Sequence, residues 1–377
     1  MGMGRMDEIY WLWLMQKGVS RGRCKKLLDA CGGSAEAVYQ MSADEIARQD
    51  YLPDADKAAL REKSLEQTKE YQELLSRNAV WTVHYGAEDY PHALYDIAKA
   101  PLLLYGRGKR IDWDERLCIG VVGARKCTEY GKNAATHLAQ ELAAEGAVIV
   151  SGLAAGVDAA AHTGALDAGG DTVAVLGCGV NIVYPPSNAA LMRRVLQHGT
   201  ILSEYPVGAD PLAHHFPERN RIISGLSRGI VIVEGSIKSG SLITASLAQE
   251  QGKDVFAVPG NINNVLSKGP NFLIRDGAYM VTCAEDVLEQ YRGQYIGVLP
   301  DNPPDLADTT DESAATDDIG ARIMAALTAD AVHIDRLSAQ TGLGVPELNA
   351  QLLLLEIAGK VQSHPGSCYS LPFSTNE

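Results

Sequence analysis

The chain has 377 residues, 46 % of them apolar, and a formal net charge of −14 at pH 7. That is enough apolar material for two or three packed domains, and too much negative charge for a basic coat gripping nucleic acid over the whole surface, although a local cluster of cations can still hold an anion. The seven cysteines, at 24, 31, 118, 127, 178, 283 and 368, make no C-x-x-C pair, which argues against a zinc site or a disulfide framework and for a reducing compartment.

The opening stretch MGMGRMDEIYWLWLMQKG has a short apolar patch preceded by Asp7 and Glu8, unlike a secretory signal. No later run reaches the ~18 apolar residues of a membrane span. A cytoplasmic protein without a membrane span is expected. Residues 1–78 read as a small all-α module of SAM or helix-hairpin-helix type, because apolar residues recur at three- and four-residue spacing through GRCKKLLDACG, SAEAVYQM and DEIARQ. Its basic run GVSRGRCKK, with Arg21, Arg23, Lys25 and Lys26, is either a phosphate grip or a solvated face.

Residues 79–294 form the next expected domain. Its extension, 79–116, holds WTVHYG and LLLYGRG and is assigned to the edge of a sheet. Beyond it, short β-branched runs (CIGVVG, AVIVSG, TVAVLG, TILSE, GIVIVEG, DVFAVPG) alternate with helical stretches such as NAATHLAQELAAEG. Near-continuous apolar strands imply burial on both faces, so the pattern specifies an α/β fold with a Rossmann-like, doubly wound, mostly parallel sheet. Residues 295–318 carry seven acidic residues and no Lys or Arg and read as an acidic linker. The remaining 319–377 read as three helices followed by a hairpin in KVQSHPGSCYSL, the order of a winged helix. Its last helix, VPELNAQLLLLEIAG, carries Glu347 and Glu356 and no cation before Lys360, which disfavours insertion into a duplex groove and points to protein contact or self-association.

In an open α/β sheet, ligands collect beyond the carboxyl ends of the strands, where backbone N–H groups and helix starts favour anions. The loops there hold Gly123 and Arg125, Ser151 and Gly152, Gly177-Cys178-Gly179, and Lys238-Ser239-Gly240-Ser241 with Thr244 just beyond. Arg125 suits a bidentate phosphate grip and Lys238 a point charge, while the serines and Thr244 supply hydroxyl donors. The bland reading makes Lys238 a solvated loop residue. In HHFPERNRIISGLS, Arg219, Asn220 and Arg221 near a helix start face either structural acids such as Glu204 and Asp210 or nucleic-acid phosphates; Phe216 either stacks a base or fills the core. Asp158 and His162, one helical turn apart, suit dipole complementation and backbone satisfaction better than an acid/base or metal pair. Gly177-Cys178-Gly179 lacks the third glycine of a dinucleotide fingerprint because Ile182 stands there, and no phosphate-binding G-x-x-x-x-G-K-[ST] occurs. No cofactor, metal or catalytic set is expected.

Six ordered blocks, GARKCTEYG, SGLAAGVDAAAH, TVAVLGCGVNIVYPPSN, FPERNRIISGLS, SGSLITASLA and VFAVPG, resemble the DNA-processing protein A family, DprA/Smf. The resemblance covers about residues 80 to 290. It implies a non-catalytic single-stranded DNA binder that protects incoming DNA and loads the RecA recombinase in natural transformation, dimerises through its core, and meets single-strand-binding protein as a further partner. The family's DNA-contacting arginine and lysine fall on Arg125 and Lys238, and its FPxRNR block on Phe216, Arg219, Asn220 and Arg221. Gly235, where alanine is common, and Pro270, where threonine is usual, depart from the family pattern. The alternative from the residues alone is a Rossmann-like nucleotide-processing enzyme that holds nucleoside phosphates on its glycine loops.

Overall fold

Trp11, Leu12, Trp13 and Leu14 are all buried, so the apolar patch near the start of the chain is the core of a first helix. The structure, a computed structural model, describes residues 7–293, 322–324, 326–327, 332–357, 360–364 and 367–371, in two compact units, Met1–Pro303 and Pro304–Glu377. The expected acidic linker, 295–318, lies outside the described residues.

Six helices come first: α1 (Glu8–Gln16), α2 (Arg21–Ala30), α3 (Ala35–Gln40), α4 (Ala43–Ala47), α5 (Asp54–Arg61) and α6 (Glu66–Arg77). Several carry their own start signals. Ser34 caps α3, and Ser42 with Glu45 closes a capping box on α4. The basic run on α2 meets partners within the molecule. Arg21 pairs with Glu204 at 2.8 Å, Arg23 with Asp56 at 3.1 Å, and Lys25 with Asp29, while Lys26 lies over the Tyr51 ring at 5.3 Å.

The sheet follows: β1 (Trp81–His84), β2 (Leu103–Gly108), β3 (Cys118–Val122), α7 (Glu129–Ala144), β4 (Val148–Ser151), α8 (Val157–Asp167), β5 (Thr172–Leu176), α9 (Ala189–His198), β6 (Thr200–Ser203), α10 (His215–Leu226), β7 (Gly229–Ile232), α11 (Gly240–Glu250), β8 (Asp254–Ala257), α12 (Lys268–Arg275), β9 (Tyr279–Met280) and α13 (Glu285–Leu288). The strand order is β1-β2-β6-β5-β4-β3-β7-β8-β9. The seven strands from β6 to β9 are parallel, and β2 and β1 join antiparallel at the β6 edge. Strands β1 and β2, from the stretch 79–116, thus form one edge of the sheet.

Each central strand alternates between two cores. Cys118 and Val122 of β3 pack with α10 and α11, while Ile119 and Val121 pack with α7, α8 and α13. A third core joins α1–α6 to β2, β6 and α9, and the Trp11 ring stacks on His84 of β1 at 4.5 Å. Pro270, one of the family departures, is the third residue of α12, a position where a missing N–H breaks no helical bond.

The chain runs outward from β3 through β4 and β5 to β6, then returns to the other side of β3 with β7. This reversal splays the loops after β3 and β7 apart and leaves a crevice beyond their carboxyl ends.

In the second unit, β10 (Val332–His333), α14 (Ile334–Thr341), α15 (Val345–Ile357), β11 (Gln362–His364) and β12 (Cys368–Ser370) enclose Leu337, Leu348 and Leu352. The hairpin read in the tail is the antiparallel pair β11–β12, and β10 adds a third strand on the free side of β12. Most of the first tail helix and the side chain of Glu347 lie outside the described residues. Among the described residues, no helix is long and apolar enough to cross a membrane.

Candidate nucleic-acid interface

The crevice at the strand reversal is a cavity of about 520 Å³ whose lining includes Gly123, Arg125, Phe216, Arg219, Asn220, Ser239, Gly240, Ser241 and Thr244. Lys238 is exposed on the same loop, between the lining residues Ser236 and Ser239. The loops after β3 and β7, together with α10 and the first turns of α11, therefore bring together ten of the thirteen site residues read from the sequence. Arg125, Lys126 and Lys238 are exposed and enter no ion pair among the described residues. The α11 helix opens into this cavity with Gly240 and Ser241, so its free N–H groups add a positive end to the rim. Ser239 and Ser241 share a hydroxyl hydrogen bond of 2.7 Å beneath it. Asp158 is the one carboxylate among the described residues that line the cavity.

Three expected residues stand elsewhere. Ser151 is buried and donates to the Val121 carbonyl at 2.7 Å. Gly152 is buried behind Arg219, whose guanidinium would lie 2.5 Å from a Cβ at that position. Arg221 turns the other way. On a helix of 3.6 residues per turn, Phe216, Arg219, Asn220 and Ile223 share one face, and a residue two positions from Arg219 points to the far side. There Arg221 pairs with Glu204, which also holds Arg21. Of the two partners read for this arginine, it is the structural acid that the fold supplies; Asp210 is exposed. Burial pushes the Glu204 carboxyl up, and Arg221 and Arg21 pull it back only in part.

Arg219 is only 4 % exposed and braces the cavity floor. It donates to the Gly152 carbonyl at 2.8 Å and to the Val175 carbonyl, tying the ends of β4 and β5 to α10. Burial lowers its pKa to about 10, with Asp158 opposing. Asp158 accepts from the N–H groups of Gly152 and Ala154 at 3.2 and 3.4 Å; burial raises its pKa and Arg219 draws it back. Gly156 completes this corner. Its φ of +81° and the approach of the Ala124 and Arg125 carbonyls leave no room for a side chain, so the loop bearing Arg125 rests directly on the start of α8.

His162 is structural. Its Nε2 accepts from the Leu153 N–H at 3.3 Å, and its Nδ1 meets Thr172 Oγ1 at 2.7 Å, while that hydroxyl itself donates to the Ile149 carbonyl. Burial pushes its pKa down to about 3, with Arg219 adding. At this site the unfolded chain therefore binds one more proton between about pH 3 and 6.5, so the contribution of His162 to stability rises with pH across that window at about 1.4 kcal/mol per unit and levels off above it. Stability measured by urea denaturation in His162→Gln should lose that share of the slope; an unchanged slope would show that His162 titrates normally.

Four contributors have no place among the residues picked from the sequence. Lys126 and Ser236 line the cavity, and their signal was their position in the same two loops. Tyr184 lines it from the loop after β5, with an aromatic between apolar and proline residues as its only mark. Glu234, 1 % exposed, accepts from the Thr128 N–H and hydroxyl at 2.8 and 2.7 Å and from Asn264 Nδ2 at 3.3 Å. A single buried carboxylate thus fastens the loops after β3, β7 and β8; its signal was a lone acid ending the apolar run GIVIV.

A sequence model described as DNA recombination-mediator protein A matches residues 81–292, and one described as the DprA winged helix domain matches 307–367. Protein Smf of Escherichia coli K12 is 39 % identical over 283 residues, 74 % of this chain and 74 % of that protein. DNA processing protein DprA of Streptococcus pneumoniae is 46 % identical over 202 residues, 54 % of this chain and 71 % of that one. Among solved structures, DNA processing protein A of S. pneumoniae superposes with a TM-score of 0.66 at 36 % identity, covering 75 % of this chain and 97 % of that chain. The Helicobacter pylori protein, described for its single-stranded DNA binding mode, gives a TM-score of 0.51 at 33 % identity, covering 56 % and 94 %.

Proposed function

Because the chain belongs to the DNA recombination-mediator protein A family, we propose that it binds single-stranded DNA in the crevice between the loops after β3 and β7 and mediates recombination by protecting that strand and loading RecA onto it. The observation that carries this reading is the cation rim: Arg125, Lys126 and Lys238 have no ion-pair partner among the described residues, in a chain whose net charge is −14. Unmatched cations on glycine-rich loops, backed by a helix start, fit a backbone of phosphates. Gly123, Ser239, Gly240, Ser241, Thr244 and Asn220 supply the donors and the close approach, Arg219 the floor, and Arg221 the bracing from behind. Ser151 and Gly152 act through the floor.

A cytoplasmic homodimer that also meets single-strand-binding protein completes the proposal, with natural transformation as its setting. Strand β9 ends the sheet and exposes Tyr279 and Met280, an apolar edge for a second copy to cover. The winged-helix unit contacts protein rather than duplex DNA.

The test is a titration of labelled single-stranded and duplex oligonucleotides at two salt concentrations, with and without RecA. Single strands should bind more tightly than duplex, affinity should fall as salt rises, and RecA should assemble faster on strands carrying the protein. Equal duplex binding, or no effect on RecA, would overturn the respective part. Release of base or phosphate from nucleoside monophosphates would favour the nucleotide-processing alternative.

A further inference from the structure

Three flat groups meet at the cavity mouth. The Arg125 guanidinium lies over the Phe216 ring at 5.3 Å, and the Tyr184 ring lies 5.2 Å from Phe216, tilted by 36°. Phe216 is half-buried, with its edge against Gly177, where a Cβ would come within 3.0 Å of Cδ1. Tyr184 is 36 % exposed, and its hydroxyl makes no hydrogen bond among the described residues.

With Arg125 and Tyr184 both packed against it, Phe216 offers a planar ligand little free ring surface. The arrangement has a use as it stands. Resting on Phe216, the long Arg125 side chain is held toward the rim and loses less freedom when it grips a phosphate. Among the described residues lining the cavity, the other aromatic side chain is Tyr184, which is partly exposed.

We propose that the outer face of Tyr184 is a nucleobase subsite, taking one unpaired base of the strand, and that Phe216 serves as the platform that positions Arg125. This assigns the two aromatic residues opposite kinds of contact: Tyr184 contributes sequence-tolerant stacking without charge, and Phe216 contributes to phosphate binding through its neighbour. Selectivity for single strands follows in part, since a base paired within a duplex presents no free face.

The inference rests on the proposed single-strand binding, and the test separates the two. Full-length protein is titrated with an oligothymidylate carrying one 2-aminopurine and with a matched strand carrying abasic sites, across a salt series. In the wild type, 2-aminopurine fluorescence should be quenched and the abasic strand should bind more weakly. Tyr184→Ala should lose the quench, weaken binding of the intact strand by about five- to a hundred-fold, and bind intact and abasic strands alike, with an unchanged salt slope. Tyr184→Phe should behave as wild type. Phe216→Ala should keep the quench and flatten the salt slope. The subsite is refuted if Tyr184→Ala still quenches and distinguishes the two strands, or if Phe216→Ala abolishes the quench with its salt slope intact. Failure of the wild type to bind any of these strands would remove the functional reading itself.

Discussion

Glu204→Gln is expected to destabilise the first unit by about 3–5 kcal/mol, the cost of leaving buried charges without their counter-ion. The side chain of Glu204 is 12 % exposed and that of Arg221 7 %, so neither can turn to water. The amide keeps the size and one acceptor oxygen of the carboxylate but leaves Arg21 and Arg221 facing each other with no negative charge between them. The upward shift of the Glu204 pKa shows that burial outweighs both arginines; the cluster is therefore a weak source of net stability and costly to break. Arg21→Ala should cost far less, about 1 kcal/mol, because that side chain is 28 % exposed and Glu204 retains Arg221. Urea denaturation midpoints of the two variants measure the contrast. A Glu204→Gln midpoint equal to that of Arg21→Ala would mean that the cluster is solvated.

The sheet was legible because its strands are buried on both faces, which forces uninterrupted β-branched runs, and because the turns between them carry glycine. All six runs became strands β3 to β8. The two-residue strands β9 and β10 were not legible, since a period of two cannot declare itself over two residues. The start of α10 was also hidden. Arg219, Asn220 and Arg221 look like the opening of a helix, whereas α10 begins at His215 with Pro217 as its third residue, where proline costs no helical hydrogen bond.

Arg221 shows what helical periodicity specifies here. Once the segment is helical, positions 219 and 221 must diverge, and the set at 216, 219, 220 and 223 falls on one face. Tyr184 and Glu234 lacked any such signal. Tyr184 reaches the cavity from a loop after β5, separated from Phe216 by 31 intervening residues. Glu234 matters only through Thr128 and Asn264, partners that the fold and not the chain order brings together. Arg125 and Lys238 were readable for the opposite reason: each sits in a loop after a strand, so the topology alone sends it to the same end of the sheet.

The paired substitution Arg125→Ala with Lys238→Ala should have the largest effect on binding. A hydrogen bond to a charged group is worth about 1.5–3 kcal/mol, so each loss should weaken a single strand by about ten- to a hundred-fold. Removing two phosphate contacts should also make the dependence of log affinity on log salt shallower by about 1.4, at about 0.7 per contact on a single strand. These two outcomes belong together, because counter-ion release and affinity arise from the same neutralised phosphates. Both residues are exposed and unpaired among the described residues, so the fold should stay within about 0.5 kcal/mol of wild type, and the loss cannot be blamed on unfolding. Sequence should not matter, since a phosphate contact carries no base information. A variant whose isotherms and salt slope both match the wild type would show that the strand, if bound, runs elsewhere; a loss of affinity with the full salt slope retained would show that the two side chains support the loops without touching phosphate.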